Sequence, residues 1–243
     1  KAIRNCKTFV NSRLLYTKYV PFAYQLHEIR TTTISKDDFY ARKDSFISCS
    51  KEINLLFTGR INFVKGVLDL VEAASKLIKE NRNIKVHFVG WEDHPDKPAE
   101  REIIKLATRL GILDRIFFHG KKSVGYELFS MYRMAQIFVL PSQSEGFPRT
   151  IWEAMANSLP VVATKVGSIP YFIENEKQAL LVKPHDQDEL YSAIKRLIDN
   201  ESFRQSLIAN AFNFAKEITL EVQTRKLLKI LQSTDIKPGN NNE

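Results

Sequence analysis

Two positively charged side chains and two glycines lie close together in residues 58–66. Arg60 and Lys65 are five residues apart, with Gly59 directly before Arg60 and Gly66 directly after Lys65. Arginine offers a planar fork of N–H donors and lysine a mobile point charge, a combination that suits a diphosphate, and glycine permits close backbone approach. The same residues also fit two solvated surface cations beside a helix that begins near Lys65. The spacing alone leaves both interpretations open.

A second segment, residues 141–154, combines two carboxylates with the expected start of a helix. Pro148 fits the first helical turn, so that the backbone amides just before it face an anion. Glu145 lies at the rim of this loop, and Glu153 lies on the helix. Carboxylates beside a phosphate make sense if they accept hydrogen bonds from hydroxyl groups, which a sugar supplies. The alternative is that Glu145 interacts with the helix dipole and Glu153 forms a surface ion pair.

Both segments follow short apolar runs that fit β-strands. Six such runs occur without polar alternation, which is typical of a parallel sheet covered on both faces, and helical patterns separate them. The sequence predicts an α/β fold with a doubly wound, Rossmann-like, six-stranded parallel sheet, in which ligands bind at the carboxyl ends of the strands. The predicted strands are 53–58, 84–89, 115–119, 136–140, 160–164 and 179–182, and the main predicted helices are 67–78, 103–110, 190–198, 203–215 and 219–232.

The two ends of the chain differ from this middle part. Residues 1–50 are rich in Lys, Arg and Thr, with one strand-like stretch at 28–34 and a polar break at 35–50. Because the chain does not begin with methionine, we interpret this segment as a remnant of an upstream domain together with a linker. Residues 51–232 form the predicted domain, and the polar tail 233–243 is predicted to be disordered.

Composition and charge disfavour several classes of protein. The 36 Lys and Arg residues exceed the 28 Asp and Glu residues by 8, but they are scattered and accompany no nucleic-acid motif, so no nucleic-acid partner is expected. No apolar run approaches the ~18–20 residues that span a bilayer. The low cysteine count favours a reducing compartment, and we expect a cytoplasmic protein, with peripheral contact at the inner face of the membrane in the full-length protein. The two cysteines and five histidines lack metal-ligand spacing, so no metal site is predicted.

The two charged segments together resemble the motifs of one large family. The family pattern is a G-R-x(4)-K-G loop followed by E-x(7)-E, and both occur here in that order. They are similar to the C-terminal, donor-binding domain of the retaining GT-B-fold glycosyltransferases called group 1, of family 4 type. The resemblance extends over residues 53–231 and rests on Gly59-Arg60, Lys65-Gly66, Pro141-Ser142, Glu145-Gly146-Phe147 and Glu153-Ala154.

The resemblance implies a role for each of these positions. Arg60 and Lys65 hold the donor diphosphate and stabilise the charge on the leaving group, and Glu145 contacts the donor sugar, which makes these three the catalytic residues. Glu153 accepts hydrogen bonds from the ribose hydroxyls, and the base lies near Gly90 and the loop 120–122. The other implied donor-binding residues are Gly59, Gly90, Lys122, Gly146, Phe147 and Thr150. No metal and no cofactor is implied, and the substrate is a nucleotide-diphosphate sugar, with a UDP-sugar favoured.

The chain departs from the family pattern after the second predicted strand. The family often has a second glycine close behind the first one there, whereas this chain has Gly90-Trp91-Glu92. The phosphate and ribose positions are unaffected by this departure.

The resemblance implies a metal-independent hexosyltransferase that moves a sugar from a nucleotide donor to a saccharide or lipid-linked acceptor. The acceptor is held by an N-terminal domain missing from this chain, so the segment alone is expected to transfer nothing. The Lys-, Ile- and Asn-rich composition favours a role in bacterial surface polysaccharide or lipopolysaccharide synthesis. Two alternatives remain open, a GT-B-like binding or assembly module without catalysis and a GT-B epimerase or phosphorylase. A dinucleotide-dependent dehydrogenase is not favoured, because no G-x-G-x-x-G turn follows a strand.

Overall fold

The computed structural model describes residues 6–42 and 52–233. Its eight strands form a two-stranded sheet and a six-stranded sheet, both parallel. The six-stranded sheet confirms the predicted fold class and all six predicted strands. The strands are β1 (Lys7–Val10), β2 (Gln25–Glu28), β3 (Ile53–Arg60), β4 (Ile84–Trp91), β5 (Ile116–Phe118), β6 (Ile137–Leu140), β7 (Val161–Thr164) and β8 (Leu180–Val182).

The strand order of the large sheet creates a crevice in its middle. The order is β5-β4-β3-β6-β7-β8, so the chain first builds outward from β3 to β5 and then returns to the other side of β3. At such a reversal the loops after the two central strands diverge, which leaves room for a ligand at their carboxyl ends. These are the loops after β3 and β6, and they carry the two charged segments.

Helices cover both faces of the large sheet, and the apolar patterns account for most of them. Gly111 ends the second predicted helix, 103–110, in the left-handed conformation, with φ of 72°, and Ile104 of the same helix is 42% exposed. The helices are α1 (Arg13–Tyr19), α2 (Val67–Lys79), α3 (Pro98–Leu110), α4 (Tyr126–Met134), α5 (Arg149–Ala156), α6 (Ile169–Phe172), α7 (Gln187–Asp199), α8 (Glu201–Ala215) and α9 (Leu220–Gln232).

Helix α4 was not predicted, although it helps to build the site. It has nine residues, of which three are buried, Leu128, Phe129 and Tyr132. Such a short helix with mixed polarity gives a weak periodic signal. Its position is therefore determined by packing of those three side chains on the sheet.

Large aromatic side chains fill the core directly beneath the carboxyl ends of the central strands. Phe57 and Phe88 are fully buried on neighbouring strands with ring centroids 5.7 Å apart, and Tyr132 lies 5.7 Å from Phe138. Burying a side chain of this size stabilises the fold by about 1.5–3 kcal/mol. The loops above this core thus start from a closely packed base.

The structure corrects the prediction for the N-terminal segment. The expected strand at 28–34 is wrong, because the strand there is β2, which ends at Glu28 and pairs with β1. The following residues are extended but are held by helix α9 instead of a strand, through Leu220 N–H to the Ile34 carbonyl, 2.8 Å, and Arg30 N–H to Gln223 Oε1, 3.1 Å. The β-propensity of this Thr-rich stretch thus correctly indicated an extended backbone, but these residues pair with no other strand.

The remaining expectations for the ends concern residues that the structure describes only in part. Residues 43–50 of the predicted polar break and 234–243 of the predicted tail lie outside the described residues. The domain boundaries at 50 and 232 stay predictions. In the described ranges, 6–42 and 52–233, every helix is too short or too polar to cross a bilayer.

Candidate functional site

A cleft of about 640 Å³ lies at the carboxyl ends of the central strands. It brings together nine of the ten residues singled out by the sequence, and Gly146 is the one that does not line it. Asn11 and Thr31 of the N-terminal segment also line the cleft, which the sequence did not predict. The nine residues are Gly59, Arg60, Lys65, Gly90, Lys122, Glu145, Phe147, Thr150 and Glu153.

The loops after β3 and β6 are fastened to each other by their backbones. Gly66 has φ of 64°, and a Cβ at this position would overlap the carbonyl oxygen of Pro141. Gln143 N–H donates to the Val64 carbonyl oxygen at 2.8 Å. Only glycine combines this conformation with such a close approach, so Gly66 sets the separation of the two charged loops.

Lys65 and Glu145 form a largely buried ion pair across these loops. Lys65 Nζ lies 2.6 Å from Glu145 Oε1, and the two side chains are 19% and 8% exposed. The Ser142 hydroxyl donates to the same carboxylate oxygen at 2.7 Å. The cation expected to meet a phosphate and the carboxylate expected to meet a sugar therefore contact each other in this structure.

Glu153 is buried, which contradicts its interpretation as part of a surface ion pair. Its residue is 4% exposed, and both carboxylate oxygens accept hydrogen bonds from hydroxyl groups. Tyr132 donates to Oε2 at 2.7 Å, and Thr33 donates to Oε1 at 2.6 Å. A carboxylate that already accepts hydroxyl donors and still faces the cleft can accept further ones, since it has about four acceptor positions.

Tyr132 connects Glu153 to the end of β3. Its phenol oxygen lies 2.6 Å from the Thr58 hydroxyl and also contacts the carboxylate of Glu153. Burial, and next the charge of Glu153, raise the pKa of the Tyr132 phenol well above its usual value, so it remains a neutral donor. Sequence reasoning missed Tyr132 and Thr33, because one lies on the unpredicted helix α4 and the other in a segment without periodicity.

Arg60 lies at the exposed rim of the cleft. Its Nη1 is 3.5 Å from Asp93 Oδ2, with side chains 58% and 62% exposed. Asp93 also accepts a hydrogen bond of 2.5 Å from the indole N–H of Trp91. An exposed pair at this distance contributes little to stability, so Arg60 can exchange Asp93 for an anionic ligand at small cost.

The start of helix α5 faces the cleft, with a small correction to its predicted boundary. Pro148 is the N-cap, one residue before the first helical turn, and no side chain caps the helix. Phe147 lines the cleft and stacks on the buried Trp152, with ring centroids 4.3 Å apart. The uncapped first-turn N–H groups of α5 are suited to an anion.

Gly146 acts through its backbone and not as part of the cleft wall. Its carbonyl oxygen accepts a hydrogen bond of 2.8 Å from Ser168 N–H. A Cβ on the neighbouring Gly167, whose φ is 57°, would overlap the carbonyl oxygen of Glu145. The loop after β7 thereby supports the loop that carries Glu145.

A pair of histidines, His87 on β4 and His119 directly after β5, lies near the loop that the sequence assigned to the base. His87 Nδ1 lies 2.9 Å from His119 Nε2, and His87 Nε2 lies 2.8 Å from Asn54 Oδ1. Burial, and next the neighbouring His119, lower the pKa of His87 to about 4. Burial and the charge of Lys122 lower the pKa of His119 as well. Both rings are therefore neutral at neutral pH.

Solved structures share this fold. Sucrose-phosphate synthase from Thermosynechococcus elongatus superposes with a TM-score of 0.78 at 24% identity, over 95% of this chain and 59% of that one. HepE from Anabaena, solved in complex with UDP, gives a TM-score of 0.81 at 20% identity, over 93% of this chain and 63% of that one. The fold is that of the C-terminal half of a GT-B glycosyltransferase.

Sequence comparison identifies the family. The profile described as "Glycosyl transferases group 1" matches residues 41–214, and the chain belongs to this family. The D-inositol 3-phosphate glycosyltransferase of Saccharomonospora viridis is 31% identical over 180 residues, which cover 72% of this chain and 42% of that protein. The chain thus spans less than half the length of this curated relative.

Proposed function

We propose that this chain is the donor-binding half of a retaining glycosyltransferase that moves a sugar from a nucleotide-diphosphate sugar to an acceptor. The observation that carries the proposal is the single cleft lined by Arg60, Lys65, Glu145 and Glu153. Two cations and two carboxylates in one cleft fit a ligand that carries both phosphates and hydroxyl groups. A nucleotide sugar is such a ligand.

The diphosphate lies between Arg60 and Lys65 in this proposal. Arg60 exchanges the exposed carboxylate of Asp93 for a phosphate oxygen, and Lys65 exchanges or shares Glu145. Both cations then stabilise the negative charge that develops on the leaving diphosphate, and the N-terminus of α5 adds N–H donors. These charges supply the stabilisation that a metal ion supplies elsewhere, so we propose a metal-independent transfer.

The two carboxylates hold the hydroxyl groups of the sugar and of the ribose, the two parts of the donor that are bonded to the diphosphate. Glu145 accepts hydroxyl groups of the transferred sugar once Lys65 turns to the phosphate. Glu153 accepts the ribose hydroxyls while Tyr132 keeps its carboxylate in place. We further propose that retention follows front-face attack, with the donor phosphate helping to deprotonate the acceptor.

A UDP-sugar is the favoured donor, and HepE, which shares the fold, was solved with UDP. The acceptor, a saccharide or a lipid-linked saccharide, is bound by an N-terminal domain beyond this segment. We place the whole protein in the cytoplasm, at the inner face of the membrane, in bacterial surface polysaccharide or lipopolysaccharide synthesis. On its own, the present chain is expected to bind the donor weakly and transfer nothing.

Calorimetric titration with UDP tests the site. We expect Arg60→Ala to weaken binding about tenfold, the loss of one charge-assisted contact, while Arg101→Ala, an exposed arginine on α3, leaves it unchanged. Glu153→Gln should weaken the binding of UDP but not the binding of inorganic pyrophosphate, which has no ribose. Binding that is equally weak in the parent chain and in both site variants would contradict the assignment.

A further inference from the structure

An exposed tryptophan forms part of the cleft wall. Trp91 is 39% exposed and lines the cleft beside Gly90, at a position where the sequence departs from the family pattern. An indole ring that lines a cleft offers a flat face on which a planar ligand can stack. The residues around Trp91 indicate what that ligand is.

The indole of Trp91 is held from two sides. Its N–H donates to Asp93 Oδ1 at 2.5 Å, and Asp93 does not line the cleft. The ammonium group of Lys121, from the loop after β5, lies 4.8 Å from the centre of the ring, within cation–π distance. The ring is thus oriented before any ligand arrives, which lowers the entropic cost of stacking on it.

The sheet order places Trp91 at one end of the proposed donor site. Trp91 is the register partner of Arg60, and β4 and β6 lie on opposite sides of β3. With neighbouring strands about 4.8 Å apart, Trp91 lies on one side of the diphosphate cations and the loop of Glu145 on the other. A nucleotide sugar has the same order, with the base on one side of its diphosphate and the sugar on the other.

We propose that Trp91 is the surface on which the base of the nucleoside diphosphate stacks, with Asp93 as the residue that positions the indole. The inference rests on the proposed function and adds a base-binding residue to it. Stacking between a base and an aromatic side chain contributes enough that its removal weakens binding at least about fivefold. Because every base has a flat face, Trp91 contributes affinity for a base without selecting one.

Binding of UDP and of inorganic pyrophosphate to three variants tests this proposal by calorimetry. Trp91→Ala is expected to weaken UDP binding at least about fivefold. The affinity for pyrophosphate should stay within twofold of the parent value, since pyrophosphate has no base. Trp91→Phe, which keeps an aromatic ring, should restore most of the UDP affinity. Tyr171→Ala removes an aromatic ring of 60% exposure that does not line the cleft, and it should leave both affinities unchanged.

Fluorescence gives a second readout, since Trp91 and Trp152 are the two tryptophans of the chain. UDP should quench the emission of the parent chain more strongly than pyrophosphate does, and Trp91→Phe should abolish that difference. UDP affinity within twofold of the parent in Trp91→Ala, or equal losses for UDP and pyrophosphate, overturns the stacking role alone. A parent chain that binds no nucleoside diphosphate overturns the proposed function together with it.

Discussion

At the scale of single residues, the carboxylate of Glu153 is a strongly restrained group of the cleft. It is held by hydroxyl donors from two distant parts of the chain, Tyr132 and Thr33, and is 4% exposed. Fixing an acceptor in this way removes the need to order it on binding. The same arrangement keeps a charged group buried, which is unfavourable unless its hydrogen-bond donors stay in place.

Tyr132→Phe should therefore both destabilise the protein and weaken donor binding. The change removes one of the two hydroxyl donors to Glu153 and the acceptor of the Thr58 hydroxyl. For this we expect a loss of about 1–2 kcal/mol in the free energy of unfolding, measured by urea denaturation. Weaker UDP binding should accompany it in calorimetry.

The matched control is Tyr191→Phe, which removes a phenol that donates to Glu80 at an exposed site. We expect a loss below about 0.5 kcal/mol there and unchanged UDP binding. Equal losses of stability in the two variants would show that the buried hydroxyl network does not support Glu153.

At the scale of elements, the site depends on loops that are packed against each other through glycine. Gly66 lies against the carbonyl of Pro141, and Gly167 lies against the carbonyl of Glu145. These contacts join the loops after β3, β6 and β7. The loops are attached to the rigid ends of the strands and pack against each other. A small shift of one loop backbone therefore displaces the backbone of the neighbouring loop.

Gly66→Ala compared with Gly111→Ala isolates this contribution. Both glycines have positive φ, 64° and 72°, but a Cβ at Gly111 meets no atom within 4 Å. Gly111→Ala should cost about 1 kcal/mol for backbone strain alone. We expect Gly66→Ala to cost at least about 1 kcal/mol more and to weaken UDP binding, by thermal and urea unfolding and by calorimetry. Similar losses for the two variants would mean that the loops adjust freely.

The sequence predicted the elements whose signal is local and missed those defined by packing. Runs such as 53–58 are mainly apolar, without polar alternation, because the strand is covered on both faces, and this pattern is visible without a structure. The charged pair Arg60 and Lys65 stands out by type and spacing. Tyr132 and Thr33 carry no such signal, because their role arises only when the fold brings them to Glu153.

At the scale of the whole molecule, the N-terminal segment is more than a linker to the main domain. Ile34 is 1% exposed in the main core, Thr33 reaches Glu153, and Ser12 Oγ lies 3.1 Å from Ser168 Oγ. Segment 6–42 therefore supplies part of the cleft and part of the core. Movements of this segment should change the position of the Glu153 carboxylate, because Thr33 donates a hydrogen bond to it.

The stability of the protein should decrease in mild acid. The lowered pKa of His87, about 4, means that below about pH 6.5 the unfolded chain binds a proton that the folded chain does not. Stability is therefore fully present above pH 6.5 and falls toward pH 4. For His87 we expect a loss of at most about 2 kcal/mol between pH 7 and pH 5, measured by urea unfolding at several pH values.

His87→Gln should flatten this pH dependence, because glutamine does not titrate. His94→Gln removes a histidine whose side chain is 59% exposed and should keep the slope of the parent chain. A slope in His87→Gln that matches the parent would assign the acid sensitivity to other groups.

The ion pair between Lys65 and Glu145 bears, under the proposed function, on how a spent donor leaves the enzyme. While a sugar is attached, its hydroxyl groups satisfy Glu145 and leave Lys65 to the diphosphate. After transfer the carboxylate has lost those hydroxyls and lies close to a diphosphate that carries additional negative charge. Glu145 then competes with the product for Lys65, only 2.6 Å away in this structure. The ion pair between Lys65 and Glu145 thus weakens the binding of the nucleoside diphosphate once the sugar has been transferred, and this favours turnover.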